Sequence, residues 1–367
     1  MTDQGLAQFE PEYNWLIPPG ETLAEWLEEK ALTQKHLAVK TGTSTKFINQ
    51  LIAGKVSLTE ETALKLEKVV GSSAQFWLNL ETRYRTELAR AAELAQAVSW
   101  VAWLDDMPIK YLMKAGNITD RRITGTEKPQ IVLDLLRFFG VTSPNTWREH
   151  YAGMHAQFRR SSVAYSEKAV ATWLRLGERA AEQCATKPYS KAVFKATLAE
   201  VRNLTVQEPE VWQPELIRKC AAAGVAVVFV PAVPKAGVSG MARWLSHDKA
   251  LIQLSLYGKT NDKLWFTFFH EAAHIVLHAK KNIFLDSTEQ HTADDAQEQE
   301  ADRFAQNQLI PPKDAARLPM LRVPDAIVSF AKKLGVHPGI VVGRMQFEQY
   351  LHYSQYNDLK AQYRFES

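Results

Sequence analysis

Apolar residues recur at three- and four-residue intervals along most of this chain, the spacing of helices with one buried side. In the first such stretch, residues 21–30, Leu23, Trp26 and Leu27 share a face. Thr33 stands where an N-cap belongs, ahead of Gln34, Leu37 and Ala38, and Gly42 closes that helix. Ser44 caps the next, with Phe47, Ile48, Leu51 and Ile52 as its buried side and Gly54 as its stop. Two short helices joined by Thr41-Gly42-Thr43 make a helix-turn-helix.

Residues 89–206 keep the helical pattern, clearest at 132–140 and 171–178, with no internal repeat and no low-complexity linker. Three β-rich runs follow at 225–230, 238–244 and 250–256, separated by Pro and Gly or by Ser246-His247-Asp248. They predict a small sheet lying over the apolar helix of residues 264–279. Residues 324–346 predict two more helices about a turn at 336–339. Their apolar residues Ile327, Phe330, Leu334, Ile340 and Val341 pack inward rather than present a reading helix.

Inside the apolar stretch 264–279 stands His270-Glu271-Ala272-Ala273-His274, an H-E-x-x-H core. Burying such polar groups without partners costs about 2 kcal/mol or more each, so the pattern asks for a reason. Residues four apart stack on one helix face, and His270 and His274 can offer two imidazole nitrogens to one tetrahedral metal ion. Glu271 lies one position round, within reach of a water rather than of the metal. Downstream, Glu298 and Asp302 share a face. Glu298 can complete a His2Glu zinc site while Asp302 accepts the other ring N–H of a ligand histidine. Glu300, about 200° round from Glu298, is expected to face elsewhere. His278 and His291 are further metal-capable side chains; His278, four beyond His274, is placed to support it, but a capped or exposed histidine at a helix end is the commoner case.

Composition narrows the classes. At 46% hydrophobic and 23% charged, the chain is that of a globular protein with room for two or three domains. A net charge of +3 names no partner. Cys184 and Cys220 alone cannot form a disulfide scaffold or a Cys-rich zinc module, and they fit a reducing cytoplasm. No secretory signal and no membrane-spanning run are visible, the longest apolar stretch, 221–233, being interrupted by Gly224 and Pro231.

Charge distribution says more than net charge. Lys30, Lys35, Lys40, Lys46 and Lys55 punctuate a segment without acids, flanked by acidic helices. Such a basic strip suits a phosphate-facing surface. With the second helix entering the major groove by its N-terminal end, Thr45, Lys46, Asn49 and Gln50 are candidate base readers. Gln34, Lys35 and Lys55 are placed for phosphates.

These residues carry two resemblances. Residues 21–88, with Thr33-Gln34-Lys35-His36-Leu37-Ala38 and Phe76-Trp77-Leu78-Asn79-Leu80, resemble the helix-turn-helix of HigA-type antitoxins and related phage-type repressors. Residues 249–312, with His270-Glu271-Ala272-Ala273-His274 and Glu298-Gln299-Glu300-Ala301-Asp302, resemble the ImmA/IrrE family of zinc metallopeptidases. With the segment 330–346, the similarity covers nearly the whole chain except roughly 92–165. Ala273 departs from the Gly that many relatives have there; a small residue keeps the helix packed. The resemblance implies a regulatory peptidase.

The expected protein is multidomain and mainly α. An N-terminal arm (1–20) precedes a helix-turn-helix DNA-binding domain (21–91) and a helical middle (92–206). A zincin-like α+β metallopeptidase core (207–312) and a C-terminal helical segment packed on it (313–367) complete the chain. One Zn2+ per chain is expected on His270, His274 and Glu298, with Glu271 as general base, Asp302 supporting a ligand, and Tyr257, Arg243 and His278 as oxyanion candidates. The expected function is a cytoplasmic DNA-binding regulator whose endopeptidase cleaves a repressor, antitoxin or similar protein. Its expected partners are a double-stranded operator, that protein substrate and a cognate toxin, with a homodimer as the assembly and no membrane. The alternative class is a HigA-like antitoxin or repressor whose metal site is structural or sensory. Zinc ligation and peptide hydrolysis demand the same ligands, and only Glu271, which a structural site does not need, tilts the balance towards an enzyme.

Overall fold

The computed structural model describes residues 17–158, 166–255, 260–278 and 293–363, without the side chains of 152–158 and 293–295. The chain forms two compact units, one running to Val101 and including Lys128–Gln130, the other comprising Ala102–Glu127 and the chain from Ile131 onward.

In the first unit, α1 (Pro19–Glu29), α2 (Gln34–Thr41), α3 (Thr45–Ile52), α4 (Glu60–Val70) and α5 (Ala74–Val98) enclose a core of Leu23, Leu37, Ile48, Leu51, Leu66 and Trp77. The caps read from the sequence are made: Thr33 Oγ1 accepts the His36 N–H at 3.2 Å and Ser44 Oγ the Phe47 N–H at 3.1 Å. His36 fills the capping-box position more often taken by Glu or Gln, its Nδ1 facing the Thr33 N–H at 3.5 Å. Gly42 ends α2 at φ 65°, a left-handed conformation that a side chain would strain. It turns α3 across α2.

The second unit begins with α6 (Ile109–Lys114), α7 (Lys128–Phe139, all but its first three residues), α8 (Pro144–Phe158), α9 (Glu167–Glu182), α10 (Lys191–Arg202) and α11 (Pro209–Ala222). A three-stranded sheet follows, β1 (Val225–Phe229), β2 (Gly240–Trp244) and β3 (Ala250–Leu254), in the order β1-β3-β2. β1 runs parallel to β3, pairing Val225 with Ala250, and β2 runs antiparallel to it, pairing Gly240 with Leu254. The strands are each shorter than the apolar runs that predicted them. β3, covered on both faces, is buried throughout, whereas β2 at the edge alternates, with Met241 and Arg243 buried.

Layers then close on the sheet. On one face lies α9, where Gly177 approaches Gln253 so closely that a Cβ would stand 1.9 Å from its Oε1. On the other lies α12 (Asn261–Leu277), and α13 (Ala293–Leu309), α14 (Pro312–Ala315), α15 (Pro324–Leu334) and α16 (Pro338–Phe347) follow. Trp265, Phe268 and Phe269 of α12 share one core with Val227 and Ile252 of the sheet and with Ile327, Phe330, Ile340 and Val341 of α15 and α16. The mainly α architecture, with its helix-turn-helix and one small sheet, agrees with the sequence reading. No described helix is long and apolar enough to cross a membrane.

Candidate functional site

α12 carries His270 and His274 on the face that meets α13, and α13 brings Glu298 to them. His270 Nε2 lies 3.1 Å from His274 Nε2 and 3.1 Å from Glu298 Oε2, and His274 Nε2 lies 3.5 Å from Glu298 Oε1. Two atoms bound to one zinc at about 2.0–2.1 Å in tetrahedral geometry stand about 3.3 Å apart, so the observed spacings fit such a donor set. Among the described residues, these three form the one cluster of His, Cys, Asp and Glu that could hold a metal ion.

The electrostatics are those of a site built around positive charge. Burial disfavours an imidazolium at His270, but hydrogen bonds to Asp302 and Glu298, with the charge of Glu271, outweigh it and hold the pKa up at about 10. The same bonds to His270 and His274 keep the Glu298 carboxyl far below the usual carboxylate range. A cation bound at these nitrogens takes the place of a proton.

Each histidine is braced from behind. Asp302 Oδ1 stands 2.9 Å from His270 Nδ1, the placement expected of a carboxylate that fixes a ligand's tautomer. His274 Nδ1 faces His278 Nδ1 at 2.9 Å, and His278 Nε2 lies 3.4 Å from Glu300 Oε2. Glu300, expected from helical angle to face elsewhere, therefore reaches this cluster. His278 caps α12 with an extended backbone, φ −93° and ψ 153°, so its ring leaves the line of the helix face. Burial lowers the His278 pKa, against the opposing pull of Glu300.

Glu271 is buried, and burial raises its pKa while a backbone bond from Ala242 and the neighbouring histidines oppose the rise. Gly240 makes this approach of β2 feasible, since a Cβ there would come within 2.4 Å of Thr267 Cγ2 and 3.1 Å of Glu271 Oε1. A carboxylate thus sits between the cluster of His270, His274 and Glu298 and the edge strand.

The remaining candidates are placed otherwise. Arg243 points from β2 to the opposite sheet face, where its Nη1 pairs with Glu178 of α9 at 2.5 Å, so it is not brought to the cluster. Side chains alternate along a strand, and the Ala242 position, not Arg243, meets α12. Tyr257 and His291 lie outside the described residues. Phe266, which the sequence did not single out, sets its ring 6.1 Å from that of His270. One turn of helix separates the two, a spacing visible in the sequence.

On the first unit, Thr45, Lys46, Asn49, Lys35 and Lys55 are exposed and Gln34 and Gln50 half-buried. Asn49 Nδ2 donates to Gln34 Oε1 at 3.4 Å, joining the middle of α3 to the start of α2.

Comparison with known proteins matches residues 220–346, which contain the whole cluster, to the model of the IrrE N-terminal-like domain, Peptidase_M78. Residues 23–77 match the helix-turn-helix model. Among curated proteins, the HTH-type transcriptional regulator YddM of Escherichia coli (strain K12) is 36% identical over 66 residues, 18% of this chain and 70% of that protein. Virulence-associated protein I of Dichelobacter nodosus is 36% identical over 74 residues, 20% of this chain and 68% of that one. Antitoxin HigA-1 of Vibrio cholerae is 40% identical over 66 residues, 18% of this chain and 62% of that one. No solved structure matches.

Proposed function

Because the chain belongs to the HTH-type transcriptional regulators and carries an IrrE N-terminal-like domain as well, we propose that it is a cytoplasmic DNA-binding regulator with a zinc-dependent endopeptidase. Its substrate is a repressor, antitoxin or similar regulatory protein. The observation that carries the reading is the buried carboxylate of Glu271 beside three converging ligand atoms of His270, His274 and Glu298. A structural metal site needs the three and has no use for the fourth.

His270, His274 and Glu298 hold one zinc per chain, which supplies Lewis acidity towards the peptide carbonyl and lowers the pKa of a water. Glu271, whose pKa burial raises above the ordinary carboxylate value, takes a proton from the attacking water as its oxygen bonds to the carbonyl carbon. The same carboxyl returns that proton to the leaving nitrogen as the C–N bond breaks. Asp302 holds His270, and His278, backed by Glu300, accepts from His274 Nδ1–H, so both rings keep Nε2 free for the metal. The substrate lies extended along the outer edge of β2, whose other edge is taken by β3.

α3 reads the operator's major groove through Thr45, Lys46, Asn49 and Gln50, and Gln34, Lys35 and Lys55 meet phosphates. A homodimer presents two such helices to half-sites. Resemblance to an antitoxin supports a second reading, a repressor paired with a cognate toxin and holding a sensory metal. Incubating the zinc-loaded chain with regulators and antitoxins encoded beside it, and mapping fragments by mass spectrometry, separates the two. The peptidase reading expects one defined cut that Glu271→Gln abolishes; intact partners throughout would favour the sensor.

A further inference from the structure

A cavity that shares Asp302 as a wall adjoins the cluster of His270, His274 and Glu298. It holds about 300 Å3 between α12, α13 and α16, at the lower end of the range for small-molecule sites. Its walls are mostly apolar, with Phe266, Leu309, Ile310 and Ile340 inside. Phe347 and Tyr353, 60% and 66% exposed, stand at the mouth. His274, Glu271 and Glu298 do not line it, so it is not the place where a peptide bond would be cut. Its volume is that of a few side chains, which rules out a helix or a strand pair as occupant.

The charges around this cavity discriminate among small molecules. Asp262 pairs with Lys360 at 2.7 Å, Arg344 with Glu348 at 2.5 Å, and Asp302 with His270 at 2.9 Å. Lys263 lines the cavity, is exposed, and has no ion-pair partner among the described residues. Arg344 also lines the cavity, and its Nη1 is buried without a hydrogen-bond partner. Asp262 Oδ1 is unpartnered as well, but its carboxylate already carries the charge of Lys360 on the other oxygen. Positive charge is therefore left over beside an apolar hollow.

We infer that this cavity binds a small apolar molecule with one anionic end, of the aryl or branched-chain carboxylate class. The apolar body fills the space between α12, α13 and α16, and the carboxylate lies at Lys263. Asp302 is a wall of the cavity and also braces His270, so occupancy acts on the orientation of that ring. Only this last coupling rests on the function proposed above; binding itself does not.

The test is titration calorimetry on the full chain with phenylacetate and 4-methylpentanoate, each against its matching alcohol. At least one carboxylate should bind with Kd below about 1 mM. Its alcohol should bind about 3- to 5-fold more weakly, the scale of one exposed ion pair. Lys263→Ala should erase that preference, and Gln306→Trp, which fills the cavity from α13, should abolish binding with the helical circular dichroism unchanged. Binding should persist in Glu298→Ala, whatever the fate of the metal site. For the coupling, a saturating carboxylate should shift zinc affinity in chelator competition, and the shift should vanish in Asp302→Ala. No binding of either carboxylate, equal binding of the alcohols, or binding retained in Gln306→Trp would overturn the inference. An unmoved zinc affinity would overturn the coupling.

Discussion

His278 Nδ1 lies 2.9 Å from His274 Nδ1, and this contact gives the second histidine of H-E-x-x-H the same kind of support that Asp302 gives the first. One of the two nitrogens must donate. Donation by His274 leaves its Nε2 as an acceptor for a metal and turns the His278 Nε2–H towards Glu300.

His278→Ala and Glu300→Gln should therefore weaken zinc binding, the first by about 10- to 100-fold and the second by less, the usual scale for outer partners of a ligand. Asp302→Ala should fall in the same range as His278→Ala. Competition against a chromogenic chelator reads all three, and an unchanged affinity in His278→Ala would leave the His274 ring without need of its neighbour.

Glu271→Gln keeps the size of the side chain and touches no ligand. Zinc content should stay near one per chain while proteolysis falls by at least about 100-fold, as when a general base is lost. Cleavage at the parent rate would remove Glu271 from the mechanism.

Much of this site was legible in the sequence because its spacings are helical. Four residues separate His270 from His274 and Glu298 from Asp302, and both pairs share a face of α12 or α13. The caps at Thr33 and Ser44 were legible for a similar reason, since each side chain satisfies an N–H three residues on. Glu300 was not, because helical angle fixes where a side chain starts but not how far a long one reaches, and His278 leaves its helix at the cap. Arg243 shows the limit for strands. Alternation is visible in residues 240–244, but which alternate set meets α12 depends on the packing of β2, and a shift of one residue exchanges the faces.

For the first unit, Asn49→Ala should relax sequence preference at one operator position, and Lys55→Ala should weaken binding to all sequences and flatten the salt dependence. Fluorescence anisotropy at several salt concentrations distinguishes a base contact from a phosphate contact. Binding indifferent to salt and to both changes would contradict the groove-facing role of α3.

His337 links stability to pH. Its Nδ1 accepts the Gly339 N–H at 3.1 Å and caps α16, a bond that only the neutral ring can make. Burial pushes its pKa below the ordinary 6.5, against a smaller pull from Glu208. The unfolded chain therefore binds the proton more readily, and stability is full above about pH 6.5 and declines as pH falls through that value towards the folded pKa. His337→Asn, which keeps an acceptor for the cap, should flatten the urea-midpoint profile between pH 7.5 and 5.5 relative to the parent. Parallel profiles would assign the decline to other groups.

The proposed peptidase stands on His270, His274 and Glu298 together holding one zinc for Glu271 to work beside. Plasma mass spectrometry of the purified, zinc-exposed chain reads the metal content. One zinc per chain is expected in the parent and in Glu271→Gln, and little or none in Glu298→Ala. One zinc per chain retained in Glu298→Ala would contradict it.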